Sequence, residues 1–194
     1  MKKIIKASKT YNNIHQDIID KCKVGNQKAQ FQLYKLYYKA MFNTSLRIVN
    51  NSEIAEDIMQ ESFLKAFEKI STYSENVSFG AWLKKIVINK SLDELKKRKL
   101  ETDTIDENLS NKLTEPINNL VNNYESEVEQ LKKAIKLLPE GYRIVLSLKL
   151  LEGYDHDEIS QILNITSSTS RSQFTRAKQK LVEILKQNNI IVAN

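Results

Sequence analysis

Near the C-terminus, residues Ile165 to Leu185 read ITSSTSRSQFTRAKQKLVEIL. Its first half sets Ser168, Thr169, Ser172 and Thr175 among Arg171, Gln173 and Arg176. These are groups suited to nucleic acid. Short hydroxyls bond phosphate oxygens, a guanidinium bonds guanine bidentately, and a carboxamide does the same to adenine. Ser and Thr compete for backbone hydrogen bonds in helix interiors, so a helix that opens with several of them needs a reason. At about 100° per residue, Phe174, Ala177, Leu181 and Leu185 share one face with Ser170 behind them. Ser168, Ser172, Thr175 and Arg176 take the opposite face, with Arg171 and Gln173 on its flanks. From Asn164 onward Arg171, Arg176, Lys178, Lys180 and Lys186 stand against the single acid Glu183.

The elements before this helix position it. Asp155 and Glu158 have capping-box spacing and open a short helix through Leu163. Asn164 suits the left-handed position after it, and Thr166 is an N-cap for the last helix. A short helix, a tight turn and a longer helix form a helix-turn-helix.

A second set of groups has the opposite chemistry. In AEDIMQESFLKAFEKI, Ala55, Ile58, Met59, Phe63, Ala66, Phe67 and Ile70 form the inward stripe. Asp57, Gln60, Glu61, Leu64 and Glu68 point outward. DNA repels this acidic face, whereas a protein with a basic groove fits it. The next helix, SFGAWLKKIVINKSLDELKKRK, has Phe79, Leu83, Ile86 and Val87 on one side. Trp82, Lys85, Asn89 and Lys96 converge on another. A tryptophan beside lysines serves either as core or as a stacking wall for bases. The loop ahead of it offers Tyr73, Asn76 and Ser78, residues that fit an extruded base.

Helical periodicity dominates the whole chain. Helices are expected from His15 to Lys23, stopped at Gly25, and from Gln27 to Val49. The second has Phe31, Tyr34, Leu36, Tyr38, Met41, Leu46 and Ile48 as its apolar candidates. A third starts near Asn51 on an Asn50–Glu53 capping box and runs to Ile70, and a fourth spans Ser78 to Lys99. Residues 101–124 hold Asp103, Asp106, Glu107, Glu115 and Pro116 with little periodicity, which reads as an acidic flexible linker. Helix resumes from Glu125 to Leu138, and again from Pro139 to about Glu152, ended by Gly153. The expected fold is all-α: two small helical domains, residues 1–99 and 125–194, joined by a linker over 100–124.

Composition agrees. Among 194 residues, 41% are hydrophobic and 28% charged, enough to build cores. Four glycines and two prolines are too few for most all-β folds, and a formal charge of +6 suits a polyanionic partner. Cys22 is the lone cysteine and reads as a small core residue in a reducing compartment. No apolar run reaches the roughly 20 residues that cross a bilayer, and the N-terminus lacks a signal-peptide pattern, so a cytoplasmic protein is expected. An enzyme is not expected. His15 and His156 have no partners at metal-ligand spacing and read as surface residues, and Gly25, Gly80, Gly141 and Gly153 build no phosphate loop. No metal, cofactor or small-molecule substrate is expected.

The two helices AEDIMQESFLKAFEKI and SFGAWLKKIVINKSLDELKKRK resemble the second domain of bacterial RNA polymerase sigma factors of the extracytoplasmic-function group. LPEGYRIVLSLKLLEGYDHDEISQILNITSSTSRSQFTRAKQKL resembles their C-terminal promoter-reading domain. The resemblance runs from about Ile14 to Leu185. It implies that Asp57, Gln60, Glu61 and Leu64 dock on the clamp helices of the largest polymerase subunit. It implies that Tyr73, Asn76, Ser78, Trp82, Lys85, Asn89 and Lys96 recognise and open the −10 element as a single strand. Ser168, Thr169, Arg171, Ser172, Gln173, Thr175 and Arg176 then read the −35 element as duplex. An anti-sigma factor is a usual further partner. The chain departs from the family at Ser168–Phe174, where Gly-Thr-Val-Lys-Ser-Arg-Leu is common. Gln173 replaces a common Arg and Ser170 an apolar residue, so the −35 sequence does not transfer. Two other classes remain: a stand-alone helix-turn-helix regulator, and a helical interaction module with no DNA role.

Overall fold

A computed structural model describes residues 13–103 and 127–187. All regular structure among the described residues is helical, as expected. The chain divides into two compact units after Glu94.

In the first unit, α1 (Gln16–Lys23) ends at Gly25, whose φ of +80° a glycine adopts without steric cost. Asn26 then caps α2 (Gln27–Val49), accepting from Ala29 N at 3.0 Å. The junction to α3 (Ser52–Lys69) differs from the expected capping box. Asn50 takes the left-handed position after α2, with φ 55°, so its side chain does not cap α3. Asn51 is extended and accepts from Ile54 N at 3.0 Å. Two adjacent asparagines thus divide the work of ending one helix and starting the next.

α2 lies against both α1 and α3. Leu33, Met41, Ile48, Ala55, Ile58, Met59, Phe63 and Ala66 are buried there. Phe31 and Leu36, expected to face inward, are 58% and 48% exposed, because Ala29 and Leu33 occupy the inward positions of that turn. α4 (Phe79–Asp103) buries Phe79, Leu83, Val87 and Ile88. It comes close to α2 at Gly80, where a Cβ would stand 3.0 Å from Tyr37 Cε1. Further along, buried Ser91 Oγ donates to Val87 O at 2.8 Å and lies 3.0 Å from Ser45 Oγ. Cys22 is a core residue, 1% exposed. α4 continues past the expected end at Lys99 through Asp103. The rest of the expected linker, from residue 104, lies outside the described residues.

The second unit holds α5 (Glu127–Lys136), α6 (Glu140–Leu146), α7 (His156–Leu163) and α8 (Ser167–Gln187). Pro139 precedes α6, where its missing N–H costs nothing. Buried Arg143 donates to Leu138 O at 3.3 Å, serving a carbonyl that the end of α5 leaves open. The helix continues beyond α6 to Leu151, near its expected end, but there it widens. Glu152 N bonds Ser147 O at 3.0 Å, a π-type step over Ser147–Leu151. Gly153, φ +84°, ends it. The Asp155–Glu158 capping box forms, with Glu158 N to Asp155 Oδ1 and Asp155 N to Glu158 Oε2 both at 2.8 Å. These N–H donors hold the Asp155 carboxyl below its ordinary range. Asn164 is left-handed, φ 53°, and Thr166 Oγ1 accepts from Thr169 N at 3.0 Å. α5, α6 and α7 all pack on α8, and Ala134, Leu138, Leu146, Ala177, Ile184 and Leu185 form one buried cluster there.

Candidate nucleic-acid interface

α8 presents the outward face that its sequence predicts. Ser168, Arg171, Ser172, Thr175 and Arg176 are exposed, and Gln173 is half-buried at the flank. Arg176 has no protein partner among the described residues, so its guanidinium is available to a ligand. The hydroxyls are less idle. Ser172 Oγ donates to Thr169 O at 3.0 Å and Thr175 Oγ1 to Arg171 O at 3.1 Å. Each must rotate its proton outward to bond a phosphate. Thr169 is half-buried, and its Oγ1 lies 2.8 Å from Thr166 Oγ1. Its hydroxyl and N–H both take part in the cap that starts the helix.

His156 is not the surface residue expected. It is half-buried, and its Nδ1 lies 2.9 Å from Oγ of Ser170, which is fully buried. The imidazole also meets Phe174 edge-on, at 5.6 Å between centroids. Position 170, where the sequence departs from an apolar residue, therefore carries a polar tie between α7 and α8. Desolvation lowers the His156 pKa below its ordinary range, and Lys149 and Arg171 add to this against Asp155 and Asp157. The folded state thus favours neutral His156. Its stability contribution is present above the unfolded pKa and is lost as pH falls through the folded one. The melting temperature of the full chain is expected to fall below about pH 6.5. His156→Gln should flatten part of that slope, and an unchanged slope would show that the carboxylates alone account for it.

In the first unit, Lys85, Asn89 and Lys96 are exposed on the face of α4 that also bears Trp82. Trp82 is half-buried: one side rests on Tyr73, 5.2 Å away, and on Phe79, 5.5 Å away. Its ring is thus partly core and partly open to solvent. Ser78 starts α4, its Oγ accepting from Ala81 N at 3.2 Å. Asn76 is exposed and donates to Ser74 Oγ at 3.1 Å. Tyr73 corrects the expectation. It is 4% exposed, with its hydroxyl 2.5 Å from Val77 O, so its ring shapes the loop from within instead of facing a ligand. Two loop residues escaped the sequence reading. Asn13 and Glu75 both bond across to other segments, and nothing in their spacing announces it.

On α3, Asp57, Gln60, Glu61 and Leu64 are all exposed, Leu64 to 65%. Asp57 has no cationic partner among the described residues. Glu61 does: Lys90 of α4 reaches its Oε2 at 2.6 Å. Gln60 Nε2 reaches Glu56 Oε1 at 3.5 Å. The acidic face is therefore intact, but one of its two central charges is shared with α4.

Among the described residues no group of His, Cys, Asp or Glu is placed to hold a metal, and no helix is long and apolar enough to cross a membrane. Two family models match the chain: Sigma-70 region 2 over residues 33–101, and Sigma-70, region 4 over residues 128–181. The chain is 27% identical over 150 residues to the ECF RNA polymerase sigma factor SigM of Bacillus subtilis, covering 77% of this chain and 91% of that one. It is 27% identical over 172 residues to SigW of the same organism, covering 84% and 92%. The fold matches that of the sigma factor RpoE solved with the anti-sigma factor NepR from Bartonella quintana. The TM-score is 0.59 at 24% identity, covering 80% of this chain and 95% of that one. CnrH, solved with the cytosolic domain of CnrY, matches with a TM-score of 0.54 at 19% identity, covering 89% and 97%.

Proposed function

The chain belongs to the sigma-70 family, in its extracytoplasmic-function group, and we propose that its three outward faces divide the work of promoter-specific transcription initiation. A sigma factor partners core RNA polymerase and promoter DNA. On this reading Asp57, Gln60, Glu61 and Leu64 dock on the clamp helices of the largest polymerase subunit. Asn76, Ser78, Trp82, Lys85, Asn89 and Lys96 engage the single-stranded −10 element, and Tyr73 holds their loop in shape. Ser168, Thr169, Arg171, Ser172, Gln173, Thr175 and Arg176 read the −35 duplex. The working domains are residues 1–99 and 125–194, with a linker over 100–124. The protein acts by binding, in the cytoplasm, and is not itself an enzyme. An anti-sigma factor is a further partner on this reading.

One observation carries this assignment: an exposed acidic face on α3 and an exposed basic, hydroxyl-rich face on α8 occur in one chain. A stand-alone regulator uses only the second. Footprinting on promoter DNA tests the difference. Protection of two separated elements is expected only when core polymerase is present. Tight, sequence-specific protection by the protein alone would favour the regulator, and the absence of any salt-dependent DNA binding would favour an interaction module. Within the −35 contact, Arg176→Ala is expected to weaken binding by about 1–3 kcal/mol and to relax preference at one base pair. A loss spread evenly over all sequences would make Arg176 a phosphate contact instead.

A further inference from the structure

The loop between α3 and α4 is fastened to a segment that precedes the region 2 match, which begins at residue 33. Glu75 is the centre of one attachment. It is a non-glycine residue at φ 60°, a conformation disfavoured by its own Cβ. Its carboxylate accepts from Lys23 Nζ and, at 3.0 Å, from Gln16 Nε2, both on α1. The carboxylate raises the Lys23 ammonium pKa above its ordinary range. Asn13 is the centre of the other. It is buried, and its Oδ1 accepts from Phe79 N at 2.8 Å. That N–H is the first of α4 and has no partner within its own helix. The donor also fixes which end of the carboxamide is the oxygen. The same Oδ1 lies 3.2 Å from the Tyr73 hydroxyl. Tyr73 has one proton to give, and the 2.5 Å contact to Val77 O takes it. Asn13 Nδ2 closes the network by donating to Gln16 Oε1 at 2.9 Å.

These bonds converge on the residues that flank Trp82. Tyr73 supports its ring, and Phe79 and Ser78 set the start of its helix. A strained residue persists only where its surroundings over-determine it, and strain of this kind gathers at sites that must be preorganised. We propose that the Asn13–Lys23 segment is a positioning brace for the loop 73–78, with Lys23 and Gln16 clamping Glu75 while Asn13 fixes the first N–H of α4 beside Tyr73. The brace sets the shape that the melted strand meets, and touches no base itself. This rests on the assignment of the loop to −10 opening.

The test measures promoter opening, by permanganate reactivity of −10 thymines, together with affinity for core polymerase and melting temperature. Lys23→Met and Glu75→Gln are each expected to lower opening on the order of tenfold while core affinity stays within about twofold. Their combination should cost little more than either, because both remove one contact. The exchanged pair Lys23→Glu/Glu75→Lys should recover most of the loss, which a general weakening of the fold would not allow. Opening unchanged in both single variants, with the wild type active, would overturn the brace and leave the −10 assignment standing. Loss of opening in strict proportion to core affinity would also overturn it. A wild-type protein that opens no promoter with core polymerase would overturn both.

Discussion

Asp57→Lys is expected to weaken binding to core RNA polymerase by about thirtyfold or more, corresponding to roughly 2 kcal/mol or above. Asp57 is exposed on α3 and has no cationic partner among the described residues, so its charge is not consumed within the protein. If α3 docks in a basic groove, as proposed, reversing the charge sets like charges together, which costs more than a lost contact. Glu61→Lys is a less clean variant. It removes the contact to Lys90 and sets two ammonium groups together, so part of its effect lies in the fold. Leu64→Ala supplies an uncharged control on the same face. Because Leu64 is 65% exposed, its truncation leaves stability nearly unchanged and reports on docking alone. Titration of labelled protein with core polymerase at two salt concentrations measures all three. Equal affinities for wild type and Asp57→Lys would remove α3 from the docking surface.

Trp82→Ala is expected to slow promoter opening by about tenfold or more, since stacking of a base on an aromatic contributes on the order of 1–3 kcal/mol. Binding to a −35 duplex should be almost unaffected, because the proposed function assigns that contact to α8. The structure adds a second effect. The ring also rests on Tyr73 and Phe79, so the alanine variant should melt at a lower temperature. Trp82→Phe separates the two roles. It keeps an apolar ring over Tyr73 but offers a smaller platform, so stability should recover more than opening does. Opening and −35 binding that fall together in Trp82→Ala would show that the residue acts only as core.

Most of the scaffold was legible because it depends on local chemistry. The Asp155–Glu158 box, left-handed Asn164 and the Thr166 cap are all set within a few residues, and each formed as its spacing predicts. The inward stripe of α3 follows from helical geometry. The misreadings arise where a local pattern admits two solutions or a distant partner decides. Asn50 and Asn51 can both cap a helix, and only the ending of α2 determines which one does. Phe31 and Leu36 are apolar, but the face of α2 is chosen by where α1 and α3 lie. Tyr73 looked like a base contact because it sits in the right loop, yet its ring completes a cluster with Phe79 and Trp82. Asn13 and Glu75 were unreadable, since their partners are some 60 residues away: Phe79 and Tyr73 for Asn13, Gln16 and Lys23 for Glu75. The His156–Ser170 tie had a faint signal, in that a serine stands where an apolar residue is common. A buried serine needs a partner, and the nearby histidine supplies it.

Sigma-factor activity is tested most directly by run-off transcription with purified core RNA polymerase, with and without this protein, on a library of randomised promoter sequences. Transcripts are expected only when the protein is added, starting downstream of two enriched sequence blocks at −35 and −10 spacing. Asp57→Lys is expected to remove them. Transcripts that do not depend on the protein, or enrichment of a single duplex block bound without polymerase, would contradict that activity.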